Sequence, residues 1–196
     1  MHNRLSPHDD YDHIGESTYL IENIKVEKVI FNYGSFNDLE LDLINKLKEK
    51  GIEYHTCMKE LNLTNNKLYF LNTKEYENEN DNSGVIYIKL NNYQFLFMGD
   101  ASTLTEKEII SKYELSNIDL LKVGHHGSNT GSSKGFINVL NPKYSIISVG
   151  KNNKYGHHNK EILNILQYTK IYRTDIDGTI EFIIQKNKLN IEVYPP

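Results

Sequence analysis

Apolar and polar residues alternate along the chain in blocks that predict short buried strands separated by helices. Apolar runs predict strands over residues 25–31, 52–56, 67–72, 118–124, 144–150 and 170–174. Two pairs of runs joined by short polar turns predict β-hairpins, 84–90 with 93–99 and 179–185 with 189–194. The acidic, polar segment 74–84 predicts a solvated loop.

Apolar residues at helical spacing predict helices over 17–24, 37–51, 105–113, 132–140 and 159–169. The helix over 37–51 is sharply bounded, because Asn37 can cap its start and Gly51 its end. Apolar strands that alternate with helices indicate sheets covered by helices, and the hairpins add antiparallel pairs. We therefore expect a mixed fold, α/β or α+β.

Length and composition narrow the classes of protein to consider. A chain of 196 residues predicts one domain, residues 1–196, and a net charge of −4 argues against a protein that coats nucleic acid. The single cysteine, Cys57, excludes an internal disulfide and a cysteine-based zinc cluster. With no apolar run long enough to span a membrane and no signal-peptide pattern, we expect a soluble, cytoplasmic chain without a membrane segment. The oligomeric state stays open.

Metal-capable side chains gather in four places. The segment HDDYDH, residues 8–13, holds two histidines and three aspartates in a loop before the first predicted helix. The other three groups follow predicted strands: Asp100, the pair His125–His126 and the pair His157–His158. Strand ends on one edge of a sheet converge, so we expect these groups to meet. Imidazole and carboxylate ligands suit zinc, manganese or iron, and a set with several carboxylates can hold two ions.

The ordered set of motifs resembles the metallo-β-lactamase superfamily. The motifs are HxDxDHIG, NSxV, an apolar strand ending in GD, LKVxHHGS and SVGxNNxYGH, and they extend from residue 6 to about residue 183. The likeness is greatest to the hydrolase domain of the competence protein ComEC and its free-standing relatives. The resemblance implies a metallo-β-lactamase-like αββα sandwich. Members of the family begin with a strand hairpin before HxDxDH, so the resemblance also implies a domain that lacks the usual N-terminal strands and is truncated at its start.

The resemblance implies a site with two divalent ions, zinc or manganese. His8 and Asp10 would bind the first ion, Asp12 and His13 the second, and Asp100 would bridge both. The family's usual histidine before the GD strand is missing here, where the chain reads NDNSGV. We expect His126 to take its place and His157 to complete the second ion.

The remaining residues of these motifs are expected to act on the substrate. Adjacent side chains diverge in an extended segment, so His125 is expected to face the substrate while His126 binds metal. His125, Tyr155 and Asp12 are the predicted catalytic residues. His125, Ser128, Lys154 and Tyr155 are the predicted substrate-binding residues. Lysines near the motif loops, which could meet phosphates, are Lys122, Lys134, Lys151, Lys154 and Lys160.

The function expected from these residues is dinuclear, metal-dependent hydrolysis of a phosphodiester or phosphate ester, with DNA as one candidate substrate. The alternative is a catalytically inactive remnant of the fold that serves as a binding module. A phosphate-binding loop in GHHGSNTGSSKG is disfavoured, because its spacing does not match GxxxxGK[ST].

Overall fold

The computed structural model describes the backbone of residues 11–196 and the side chains of residues 13–196. The chain folds as two compact units, residues 1–58 and residues 59–196, and each has its own apolar core. The expectation of one domain over residues 1–196 stays a prediction.

The first unit, from residue 11, is a parallel strand pair joined by a helix. Its elements are α1 (Tyr11–Ile14), α2 (Ser17–Asn23), β1 (Lys28–Phe31), α3 (Asp38–Lys50) and β2 (Glu53–Thr56). Strands β1 and β2 pair in parallel register. Because α1 covers residues 11–14, the prediction that the whole HDDYDH segment is a loop is wrong for its last three residues.

Helix α3 forms where its capping residues predict. The Asn37 side chain accepts the Glu40 N–H at 2.9 Å, and the Glu40 carboxylate accepts the Asn37 N–H at 2.9 Å. Gly51 ends the helix with φ +67°, a conformation that favours glycine. The inner face of α3 packs into the unit's core, which contains Ile21, Phe31, Leu43, Ile44 and Leu47.

The second unit is built on a seven-stranded mixed sheet with the strand order β3-β4-β5-β6-β7-β8-β9. Its strands are β3 (Glu60–Asn62), β4 (Lys67–Phe70), β5 (Ile86–Leu90), β6 (Tyr93–Phe97), β7 (Leu120–Lys122), β8 (Tyr144–Ile147) and β9 (Lys170–Arg173). The pairs from β3 to β6 are antiparallel, and those from β6 to β9 are parallel. The short edge strand β3 was not predicted, because its run ELN lacks an apolar signal.

Three helices connect the parallel strands: α4 (Thr103–Lys112), α5 (Lys134–Leu140) and α6 (Lys160–Ile165). They cover one face of the sheet through buried side chains such as Ile109, Phe136 and Ile162. A short helix, α7 (Thr174–Asp177), follows β9, and the hairpin β10 (Thr179–Gln185) with β11 (Lys188–Tyr194) forms a separate sheet.

The β10–β11 hairpin contributes to a second core. Its residues Phe182 and Ile184 pack with Phe95 and Leu120, which are buried residues of the large sheet. The predicted α+β class is confirmed.

The acidic segment 74–84 differs from its prediction. It contains a 3-10 helix, Glu79–Asn82, in which Asp81 is 3% and Asn82 is 7% exposed. Asn82 exchanges hydrogen bonds with the Tyr76 backbone, Oδ1 accepting its N–H at 2.7 Å and Nδ2 donating to its carbonyl at 3.2 Å. The solvated-loop prediction is therefore wrong for this part, because its polar side chains bond to the protein instead of to water.

From Tyr11 onward, no helix has both the length and the apolar character needed to cross a membrane.

Candidate metal centre

Three loops of the second unit carry the histidines and the aspartate predicted for the site. Each follows a neighbouring strand of the parallel part of the sheet: Asp100 follows β6, the pair His125–His126 follows β7, and His157 follows β8. Parallel strands end at a common edge, and their loops therefore meet there. The structure brings these four residues together at that edge.

Asp100 is held by the turn that follows β6. The backbone N–H of Asp100 donates to the Ser83 Oγ at 2.9 Å. Gly99 has φ +55°, and a Cβ added there would lie 2.8 Å from the Ser83 Cβ. Glycine at position 99 therefore allows both the turn and the close approach of Ser83, which together fix the position of Asp100, a buried residue.

A buried polar network supports Ser83 from behind. The Asn72 amide donates to the carbonyls of Asp81 at 2.6 Å and Ser83 at 3.0 Å. The Asp81 carboxylate in turn accepts from the Ser102 N–H at 3.1 Å and from the Thr105 hydroxyl at 2.8 Å. The backbone on both sides of Asp100 is thus held by one set of bonds. From the sequence, no role was predicted for Asn72 or Asp81. The only signal near them was the NSxV motif, which begins at Asn82, directly after Asp81.

The histidine pair does not lie on extended backbone as predicted. His125 and His126 belong to a 3-10 turn, Gly124–Gly127, and have φ values of +45° and +51°. The expectation that their rings diverge along a strand is wrong, since this conformation directs both rings to one carboxylate. His125 Nε2 lies 3.8 Å from Asp100 Oδ2, and His126 Nε2 lies 3.9 Å from Asp100 Oδ1.

The opposite ring nitrogens of the pair contact the protein. His126 Nδ1 lies 2.7 Å from the Ser148 carbonyl oxygen, which can only accept, so Nδ1 carries the proton. In the neutral ring, Nε2 therefore presents a lone pair on the side of Asp100, as a metal-binding histidine does. His125 Nδ1 lies 2.9 Å from the Thr130 Oγ1, and a hydroxyl partner leaves either tautomer open.

His157 is held by a single asparagine. The Asn153 side chain accepts the His157 N–H at 2.8 Å and donates to the His157 carbonyl at 2.6 Å. The His157 ring centroid lies 5.4 Å from that of His125. Burial lowers the pKa of His157, and the charges of His125 and His126 lower it further, while Asp100 opposes the shift. His157 therefore favours its neutral form, which is the form that binds metal.

The predicted substrate-binding residues lie in different surroundings. Tyr155 is 55% exposed and stacks on His157 with ring centroids 5.9 Å apart, while the Lys154 Nζ lies 5.0 Å from the Tyr155 ring centroid. Ser128 is buried, and its Oγ lies 3.2 Å from the Thr130 Oγ1. Its role as a substrate ligand stays a prediction.

The lysines near the motif loops divide into two kinds. Lys122 Nζ donates to the Val123 carbonyl at 2.9 Å, and burial lowers the pKa of its ammonium while Asp100 opposes that shift. The exposed members are Lys134, Lys151, Lys154 and Lys160.

The ligands predicted from the HDDYDH segment belong to the first unit. His8 and Asp10 lie outside the described residues, as does the side chain of Asp12. His13 is the last residue but one of α1 and is exposed. The assignment of these four residues to metal stays a prediction.

Comparison with known proteins gives three similar bacterial proteins. The chain is 30% identical to ComE operon protein 3 of Bacillus subtilis, over 96% of this chain and 25% of that protein. It is 35% identical to competence protein ComA of Neisseria gonorrhoeae, over 58% of this chain and 17% of that protein. It is 29% identical to recombination protein 2 of Haemophilus influenzae, over 58% of this chain and 14% of that protein. The chain thus spans about a quarter or less of the length of these relatives.

A solved structure and a family model complete the comparison. The structure, assigned to a zinc-dependent hydrolase of the metallo-β-lactamase superfamily from Thermotoga maritima, is 16% identical, with a TM-score of 0.40 over 79% of this chain and 74% of that chain. The model of the metallo-beta-lactamase superfamily matches residues 8–151, which is more than half of the chain. The resemblance inferred from the motifs is confirmed, and this chain belongs to the metallo-β-lactamase superfamily.

Proposed function

We propose that the chain is a dinuclear, metal-dependent hydrolase of phosphodiester or phosphate-ester bonds. The observation that carries the proposal is the carboxylate of Asp100, with His125 3.8 Å from one oxygen and His126 3.9 Å from the other. Asp100 is therefore suited to be shared by two cations. One would lie on the side of Oδ1 with His126, and the other on the side of Oδ2, where the His157 ring lies next to His125 with ring centroids 5.4 Å apart.

The donor set fits zinc or manganese. Imidazole nitrogens and carboxylate oxygens are the ligands that these ions accept, and the His126 tautomer directs a lone pair into the site. In the proposed assignment, Asp100 bridges the two ions. The other ligands are His8, Asp10 and His126 for the first ion, and Asp12, His13 and His157 for the second. Two bound divalent ions would supply an activated water as nucleophile and would stabilise the negative charge that develops on the phosphoryl group.

The remaining residues of the site handle the substrate. His125 carries a proton to the leaving oxygen, since its ring lies at the site and imidazole is the side chain that most often serves as a general acid. The Tyr155 hydroxyl, which is exposed in the loop that carries His157, is the proposed hydrogen-bond donor to a substrate oxygen. Lys154, which lies over that ring, places a positive charge where a phosphate would bind.

A phosphate ester is the substrate class that these groups favour. The exposed lysines of the motif loops are cations suited to phosphate oxygens. The names of two relatives, a competence protein and a recombination protein, support DNA as the candidate substrate.

An inactive binding module remains the second candidate function. It is favoured by the names of the three relatives, none of which states an enzymatic activity. Such a module would bind DNA or protein without turnover.

The deciding experiment measures metal and hydrolysis on the same samples. We expect about two ions per chain by elemental analysis and turnover of bis(p-nitrophenyl) phosphate, with both lost in Asp100→Asn and His126→Ala. His55→Ala, which removes a β2 histidine paired with Glu53, is the matched control and should retain both. Metal without hydrolysis of any phosphodiester supports the binding module, and the absence of metal contradicts the dinuclear site.

The roles of the two adjacent histidines can be separated. His125→Ala should retain metal but lower turnover by roughly 10²–10⁴-fold, the range for a lost general acid. If His125→Ala loses metal while His126→Ala retains it, the two roles are reversed.

A further inference from the structure

A buried carboxylate lies close to the histidine loop without belonging to the proposed ligand set. Glu106 stands near the start of α4 and is 1% exposed. Burial raises the pKa of its carboxyl, while hydrogen bonds from Ser133 and Ser132 oppose that rise. A carboxylate this deeply buried needs donors in place of water, and those donors show which segment it holds.

Both carboxylate oxygens of Glu106 accept backbone hydrogen bonds from successive residues. Oε2 accepts the Ser133 N–H at 2.9 Å, and Oε1 accepts the Ser132 N–H. These amides belong to the segment that runs from the histidine pair to α5. Two bonds from one rigid group fix both the position and the direction of that segment relative to α4.

Two further contacts bind the same segment to the start of α4. The Thr103 N–H donates to the Thr130 carbonyl at 2.9 Å. A Cβ added at Gly131 would lie 3.0 Å from the Ala101 carbonyl oxygen, so the two backbones pass very close. The start of α4 directly follows Asp100, and the position of Asp100 is thereby linked to that of residues 130–133.

The segment held by Glu106 contacts the catalytic histidine through Thr130. The Thr130 Oγ1 lies 2.9 Å from His125 Nδ1 and 3.2 Å from the Ser128 Oγ. The opposite nitrogen of the same ring, Nε2, lies 3.8 Å from Asp100. A movement of Thr130 would therefore rotate or release the His125 ring.

We infer that Glu106 is a positioning residue, which holds residues 130–133 against α4 and so fixes the Thr130 hydroxyl that orients His125 toward Asp100. The effect of this residue on turnover rests on the proposed function, whereas its effect on the His125 ring does not. Within the described part of the chain, the hydrogen bonds that Glu106 accepts come from Ser132 and Ser133, and neither residue belongs to the proposed ligand set.

The first test reads the His125 ring directly, by ¹⁵N NMR of the full chain without metal. Glu106→Gln replaces one accepting oxygen by an amide group that faces a backbone N–H, and Thr130→Val removes the hydroxyl while keeping the side-chain shape. We expect both variants to shift the His125 Nδ1 resonance in the same direction. Glu114→Gln, an exposed site just after α4, is the control and should leave it unchanged. An unchanged resonance in Glu106→Gln overturns the inference.

Glu106→Asp covers the case in which the glutamine variant does not fold. This variant keeps a carboxylate on a side chain that is shorter by one methylene. We expect it to shift the His125 Nδ1 resonance in the same direction but by a smaller amount. An unchanged His125 resonance in that variant also overturns the inference.

The second test is kinetic and uses the metal-loaded chain. Glu106→Gln and Thr130→Val should each lower kcat by up to about 10²-fold with KM little changed, since a misplaced catalytic group slows the chemical step. Because both act through one ring, the double variant should be no slower than the slower single variant. If the factors by which the two single substitutions lower kcat multiply in the double variant, the inference is overturned. If the resonance shifts as expected but the wild-type chain with two ions hydrolyses nothing, the proposed function fails and the positioning role stands.

Discussion

The backbone N–H of Asp100 donates to the hydroxyl of Ser83 at 2.9 Å, which joins two segments that are 17 positions apart in the sequence. Ser83→Ala should remove this acceptor and loosen the turn that presents the carboxylate. We expect a loss of stability of about 1 kcal/mol, as for one hydrogen bond, together with weaker metal binding by titration calorimetry. Ser111→Ala, whose hydroxyl donates to the Glu108 carbonyl on exposed α4 surface, is the matched control and should leave metal affinity unchanged.

Gly99→Ala should disrupt the same turn by a different route. The residue has φ +55°, and an added Cβ would lie 2.8 Å from the Ser83 Cβ, so both the backbone conformation and the space oppose a side chain. We expect a destabilisation of at least about 1–2 kcal/mol in urea unfolding, with a loss of bound metal.

The control for that substitution is Gly135→Ala on α5. A Cβ there meets nothing within 4 Å, and alanine is the better helix former. Stability should be unchanged or rise by up to about 1 kcal/mol. Equal losses in the two variants would show that the Ser83–Gly99 contact has no special role.

Asn153→Ala should affect one of the two proposed ions. The Asn153 side chain brackets the backbone of His157 on both its N–H and its carbonyl, and its loss leaves that histidine free to move. We expect metal content to fall from about two ions per chain toward one. The neighbouring exposed Asn152→Ala should retain both ions. Full metal content in Asn153→Ala would mean that the bracket does not position a ligand.

The ionisation of Glu106 should appear in the pH dependence of stability. Burial raises the pKa of the folded carboxyl above 4.5, so the folded state retains a proton that the unfolded chain releases. This contribution is fully present below pH 4.5 and is lost as pH rises through the folded pKa. Glu106→Gln carries no such proton, and the stability of the wild type relative to this variant should fall with rising pH in that window and then level off.

Urea unfolding of the wild type and of Glu106→Gln at a series of pH values measures the difference in their free energies of unfolding. The contributions of the other titrating groups cancel in this difference, because both proteins contain them. A difference that rises with pH would mean that the amide hydrogen bonds outweigh burial and lower the pKa of Glu106.

Removal of metal should lower the melting temperature. The proposed ligands include several carboxylates that repel one another when no cation is bound, and an ion that binds only the folded chain stabilises it by mass action. At a free metal concentration of about 100 times Kd, the gain per ion is about 2.7 kcal/mol. Thermal unfolding with zinc, with manganese and with chelator measures it, and an unchanged midpoint in all three would contradict a bound ion.

The regular elements follow from local signals in the sequence. Asn37 and Gly51 delimit α3 by capping chemistry that acts within a few residues, and the Asn91 turn joins β5 to β6 with a positive φ of 54°. The sequences of β7 and β8 are continuous apolar runs because both faces of that part of the sheet are covered, and such short runs predict strands. These predictions are confirmed because each depends on neighbours in the sequence.

The features that sequence reasoning missed depend on distant partners. Asp81 is buried because Ser102 and Thr105 donate to it, and nothing within residues 74–84 signals those bonds. His125 and His126 have left-handed backbone, which histidine seldom adopts, and local preference alone favours the extended form. That Asp100 and three histidines would lie at one edge was expected because each group follows an apolar run, and the loops after neighbouring parallel strands meet at a common edge.

The two hydrogen bonds between the Asn153 side chain and the His157 backbone also divide the loop between β8 and α6 into a fixed part and an exposed part. They hold the backbone at His157, while Lys151, Asn152, Lys154 and Tyr155 of the same loop are exposed. Lys151, Asn152 and Lys154 can therefore be exchanged without disturbing the imidazole, whereas Tyr155 stacks on its ring. The loop between β8 and α6 can thus accept new side chains at these positions while the backbone of His157 keeps its place.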